Sequence, residues 1–128
     1  LVIVDLGSNS ARMVVEQLND DGTYTEVLRE KKDTRIAQYM GPELMLKEEP
    51  MVRTIAVLKY FQSRYQTYNP EVRAITTAAV RMAANQADFL RRVKSEVGID
   101  FKILTGEEEA HYDYLGVMAT LRYKTRLF

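Results

Sequence analysis

The chain has 128 residues, with 18 Lys or Arg against 18 Asp or Glu, and no cysteine. That length suits one domain with a real core, and the absent thiols exclude a disulfide framework or a thiolate metal site. Balanced charge excludes a globally basic nucleic-acid binder, and no apolar run reaches the roughly 20 residues that cross a bilayer, so the expectation is a cytoplasmic protein with neither DNA nor membrane as partner.

Val2, Ile3 and Val4 predict a short buried strand, because β-branched residues suit an enclosed pleated surface. A second strand is expected from Ala11 to Leu18. Between them stands Asp5-Leu6-Gly7-Ser8-Asn9-Ser10, in which Gly7 permits φ > 0 and the short polar side chains compete for turn hydrogen bonds. A plain hairpin turn accounts for that stretch, but leaves unused a carboxylate at a strand end, a donor-rich loop and the following Arg12; donors cradle oxyanions and carboxylates hold metals.

Asn19-Asp20-Asp21-Gly22 signals a second tight turn, after which Thr23 to Lys31 resumes as a third antiparallel strand. Residues 33–46 read as irregular, broken by Gly41-Pro42, with Tyr39 and Met40 tucked against the body. Pro50 suits a first helical turn, and Met51, Ile55, Leu58, Phe61 and Tyr65 recur at helical spacing until Asn69-Pro70. Tyr60, Tyr65 and Tyr68 fit helix packing better than a base-stacking platform, since no basic stripe interleaves them.

Val72 to Thr77 predicts a buried strand. Asn85 is placed to cap a helix that shows Phe89, Leu90, Val93 and Val97 on one face and stops at Gly98. Phe101 to Leu104 is the next strand, and Thr105-Gly106-Glu107-Glu108 opens a last helix with an apolar stripe of Ala110, Tyr114, Val117 and Leu121. The order predicts an α/β fold with a mixed sheet flanked by helices, its later units paired in parallel through right-handed crossovers.

Ligands of an open α/β sheet gather at the carboxyl ends of strands, where three stretches fall. The first runs from Asp5 to Arg12. The second is Thr76-Thr77-Ala78-Ala79-Val80-Arg81, where Arg81 is either a bidentate phosphate ligand or a surface ion-pair partner. In the third, Thr105-Gly106-Glu107-Glu108-Glu109-Ala110, Thr105 as N-cap puts Glu108 at N3 of a capping box, and Glu107 complements the helix dipole. Glu109 is not needed by the cap. His111, the only histidine, has no His or Cys partner for zinc and reads as a solvated helix residue.

Taken together, VDLGSNSARMVV, TTAAVRMAANQADFL and ILTGEEEAHYDYLGV, in this order and at these separations, resemble the exopolyphosphatase and guanosine pentaphosphate phosphohydrolase family. The resemblance implies the actin-like, ribonuclease-H-like fold, of which residues 1–128 would be the first of two lobes. It further implies removal of terminal phosphate from inorganic polyphosphate, or of the 5′ γ-phosphate from guanosine pentaphosphate, with magnesium as cofactor. Carried onto this chain, it makes Glu109 the catalytic base, Gly7, Ser8, Asn9 and Ser10 a phosphate loop, and Arg12 and Arg81 phosphate ligands. Asp5 matches the acid before the loop, with a direct or water-mediated role at the metal.

The family carries a second phosphate loop with further metal ligands, and the chain stops short of it, so the expectation is a fragment that turns over nothing alone. A homodimer of the whole protein is compatible with the resemblance. Two other readings stay open: a lobe of an actin-like ATPase or sugar kinase, and a sensor that binds polyphosphate or an alarmone without turnover.

Overall fold

Val2–Leu6 (β1) occupies the centre of a five-stranded sheet in the computed structural model, which describes residues 1–68 and 70–110. It pairs antiparallel with Ser10–Leu18 (β2), which pairs antiparallel with Tyr24–Asp33 (β3) through a turn where Gly22 takes φ 84°. On its other edge β1 pairs in parallel with Val72–Thr76 (β4), and β4 with Phe101–Ile103 (β5), giving the order β3-β2-β1-β4-β5. The expected mixed sheet is present.

Two helices cover one face, Glu48–Tyr65 (α1) and Gln86–Val97 (α3). Strand side chains alternate between faces, so Val2, Val4 and Leu6 of β1 and Ala11, Met13 and Val15 of β2 meet Ile55, Leu58 and Phe61 of α1 and Phe89 and Val93 of α3 in one core. Phe61 and Phe89 are almost fully buried, each contributing about 1.5–3 kcal/mol of transfer free energy. Ile3 and Val14 use the alternate residues of β1 and β2 in a smaller cluster, and Ile75 of β4 packs with Leu104, just past β5, in another.

Gly98 ends α3 at φ 76°, the left-handed C-cap conformation that glycine adopts without a Cβ penalty. Three local expectations are corrected. Tyr39 is exposed, whereas Met40 does pack against the core, and Thr34, Ile36 and Leu46 are the buried residues of that connection. Asn85 occupies the N-cap position of α3 but makes no cap bond; its amide accepts from Leu46 N–H at 2.9 Å and donates to Leu46 C=O at 3.0 Å, a two-point bond to a remote backbone that outcompetes a local one. The small-residue turn after β4 is a short helix, Ala78–Met82 (α2), whose Val80 and Arg81 carbonyls accept from Gln86 Nε2. The predicted stripe at Tyr114, Val117 and Leu121, and His111, lie outside the described residues.

Candidate active site

The three parallel strands end at one edge, at Leu6, Thr76 and Ile103, and that edge is stitched together. Thr76 Oγ1 donates to the Leu6 carbonyl at 2.9 Å, and Leu104 N–H donates to the Thr76 carbonyl at 2.9 Å. Asp5 lies in register with Arg12 on one side and Ile75 on the other. Cross-strand partners share a face, so these side chains stand in a row on the face opposite α1 and α3. A cleft of about 230 Å³ opens over that row, walled by Leu104 and closed by Gly7, Ser10, Thr77 and Glu109.

The loop between β1 and β2 is closed by Gly7 N–H donating to Ser10 C=O at 2.9 Å. Gly7 is not among the glycines at positive φ, and a Cβ there would meet only the Ser10 carbonyl, at an ordinary 3.5 Å. The turn therefore does not use the conformational freedom expected of it; what distinguishes this glycine is its place on the cleft. Ser10 lines the cleft beside it, whereas Ser8 and Asn9 do not. Arg12 is exposed and reaches the cleft from β2.

Residues 106–110 are helical, and the first turn separates the three glutamates. Thr105 N–H donates to Glu108 Oε1 at 3.0 Å and Glu108 N–H donates to Thr105 Oγ1 at 3.1 Å, a complete capping box. The Thr105 amide holds the Glu108 carboxyl below its ordinary 4.5, against a smaller opposing effect of burial and with help from the Lys102 ammonium. Glu107 is exposed, and Glu109, one position on, turns to the cleft.

Arg81 is brought to Glu109 rather than to the cleft lining. Its Nη1 donates to the Leu104 carbonyl at 2.7 Å and lies 3.5 Å from Glu109 Oε2. The guanidinium thus links the end of β5 to the carboxylate.

Asp5 and Glu109 are the carboxylates lining the cleft, and among the described residues no group of three or more His, Cys, Asp or Glu could hold a metal. That donor set fits magnesium, which keeps several waters and takes one or two carboxylates alongside substrate phosphates. It does not fit a metal that demands a closed protein cage.

The model of the Ppx/GppA phosphatase family matches residues 14–128, nine-tenths of the chain. The chain belongs to the Ppx/GppA phosphatase family. A Ppx/GppA family member from Aquifex aeolicus is 34% identical and superimposes with a TM-score of 0.83, over 94% of this chain and 40% of its own. A type II variant from the same organism is 33% identical at 0.81, over 89% of this chain and 38% of its own. An exopolyphosphatase from Cytophaga hutchinsonii is 26% identical at 0.84, over 90% and 37%. This Ppx/GppA chain therefore spans about two-fifths of the length of those structures, and its sheet and helices have their actin-like fold.

The structure brings together Asp5, Gly7, Ser10, Arg12 and Glu109 around one cleft, sets Arg81 behind Glu109, and leaves Ser8 and Asn9 off the lining. Ile75 and Leu104 line the cleft as well, and the sequence carries no signal for them, because their apolar character reads as ordinary strand. Thr77 belongs to the Thr76-to-Arg81 stretch, and its position directly after β4 is the signal that places it at the cleft.

Proposed function

We propose that the chain is the first lobe of a phosphoanhydride hydrolase that removes terminal phosphate from inorganic polyphosphate or the 5′ γ-phosphate from guanosine pentaphosphate. One observation carries the reading. Of three consecutive glutamates, Glu108 is consumed by the helix cap while Glu109 faces the cleft that the loop of Gly7 and Ser10 borders.

In this mechanism the loop and Arg12 hold the terminal phosphoryl group, with Arg81 turning from the Leu104 carbonyl to supply further donors. Glu109 orients a water in line with the scissile bridge and takes its proton as the water oxygen bonds to phosphorus. The bridging P–O bond breaks, and its electron pair stays on the shortened chain, leaving orthophosphate and a polyphosphate one unit shorter. Magnesium, held by Asp5 directly or through water, would offset charge on the phosphate oxygens. The remaining metal ligands and a second phosphate loop belong to the rest of the protein, and the 128 residues alone turn over nothing.

The test is magnesium-dependent orthophosphate release by the full-length parent from polyphosphate and from guanosine pentaphosphate, with ATP as the competing substrate. Preference for ATP would transfer the lobe to the actin-like ATPases and kinases. Tight polyphosphate binding without release would make it a sensor.

A further inference from the structure

The phosphate loop is held from behind. The Asn9 carbonyl accepts the N–H groups of both Thr34 and Arg35, each at 3.0 Å, and the Ser8 carbonyl accepts Ala37 N–H at 3.4 Å. A planar trans peptide sets each C=O antiparallel to the next residue's N–H. These bonds therefore turn the Asn9 and Ser10 amides away from residues 34–37, so the orientation of the loop's donors is decided by a segment that never touches the cleft.

That segment needs holding itself. Arg35 sits at φ 49°, a left-handed conformation that is unfavourable for a residue with a Cβ. The restraint comes from Arg53 on α1. Its Nε donates to the Thr34 carbonyl at 2.8 Å, and its Nη2 donates to Gln38 Oε1 at 2.6 Å and toward the Arg35 carbonyl at 3.4 Å. Thr34 and Arg35, the two residues whose amides grip Asn9, thus have their carbonyls gripped by one guanidinium. Only a planar fork spans such a set; an ammonium is a point donor.

We propose that Arg53 is a positioning residue for the phosphate loop, acting through residues 34–38 and the Asn9 carbonyl to fix the direction of the amide of Ser10, which lines the cleft. The proposal rests on the reading that this loop receives the terminal phosphate. Arg53 faces backbone carbonyls, Gln38 and Glu49 and is not among the residues that line the cleft, so it acts on the phosphate only through the loop. Its loss should weaken binding of phosphate in ground and transition states alike, which raises KM more than it lowers kcat.

The experiment compares the full-length parent with Arg53→Ala, Arg53→Lys and Glu49→Ala, the last removing a carboxylate 3.7 Å from the same guanidinium. Polyphosphate turnover, thermal melting and amide hydrogen exchange are measured on each. The expected result is a KM raised about tenfold in Arg53→Ala, the size of one lost charge-assisted hydrogen bond, with kcat within about threefold. Exchange should accelerate at residues 8–10 and 34–38, Arg53→Lys should recover part of the loss, and Glu49→Ala should match the parent.

A lowered melting temperature with KM and loop exchange unchanged overturns the proposal, because Arg53 then only stabilises the fold. If Arg53→Ala does not fold, Gln38→Ala, which removes one acceptor, takes its place and must accelerate loop exchange. A parent that releases no phosphate from polyphosphate overturns the hydrolase reading instead; the exchange comparison still decides the relay.

Discussion

Two neighbouring carboxylates should fail in opposite ways. Glu109→Gln keeps size and most hydrogen bonding but removes the base; Glu109's ion-pair contact, to Arg81 at 3.5 Å with both side chains about one-third exposed, is weak. The expected loss in kcat is about 10²- to 10⁴-fold, or roughly 2.7–5.5 kcal/mol of barrier, with melting nearly unchanged. Glu108→Ala removes the acceptor of Thr105 N–H and leaves the reciprocal bond without its partner residue's carboxylate. A cap of this kind is worth about 0.5–1 kcal/mol when its side chain is one-third exposed, so stability should fall slightly while kcat stays within about threefold. The assay is magnesium-dependent phosphate release from polyphosphate by the full-length parent, paired with thermal unfolding. Full turnover by Glu109→Gln, or loss of turnover in a folded Glu108→Ala, would refute the assignment of base and cap.

Thr76→Val should cost about 1–3 kcal/mol in urea unfolding despite the strand preference of valine, because it strips the buried Leu6 carbonyl of its hydroxyl donor; an unchanged midpoint would mean that this stitch contributes nothing. Gly7→Ala should leave stability within about 0.5 kcal/mol, since its φ is not positive and the new Cβ clashes with nothing, yet weaken polyphosphate binding by crowding the cleft; unaltered affinity would remove Gly7 from the phosphate site. The capping box should also be acid-labile. Glu108 titrates lower folded than unfolded, so its stabilisation is complete above 4.5 and disappears as pH falls through the lower folded value; the melting difference between the parent and Glu108→Ala should shrink over that acidic range.

Most of the sheet was legible because its strands announce themselves twice, by β-branched runs such as Val2-Ile3-Val4 and by turn chemistry such as Asn19 to Gly22. The capping box was legible because its two partners are three residues apart. What sequence pattern could not supply was anything decided by distant partners. Asn85 has the chemistry of a cap, but a backbone 39 residues earlier offers it two bonds instead of one. Arg81 reads equally as a phosphate ligand or as the ion-pair partner of a carboxylate, and neither reading shows the Leu104 carbonyl just past β5 that it also holds. Arg53 falls within an amphipathic helix, where a cation every few residues is unremarked, and its use emerges only once residues 34–38 fold back beneath it.

The five residues of β1 serve two clients at once. Val2, Val4 and Leu6 belong to the helix-covered core, and Asp5, between two of them, belongs to the row beneath the cleft. A substitution that lets Val4 or Leu6 settle differently must move the carboxylate that separates them, since the pleat ties adjacent side chains to one backbone. Loss of function in a genetic screen would therefore map to interior positions as readily as to the cleft, and selection for turnover alone would recover suppressors that repair packing on the far side of the sheet.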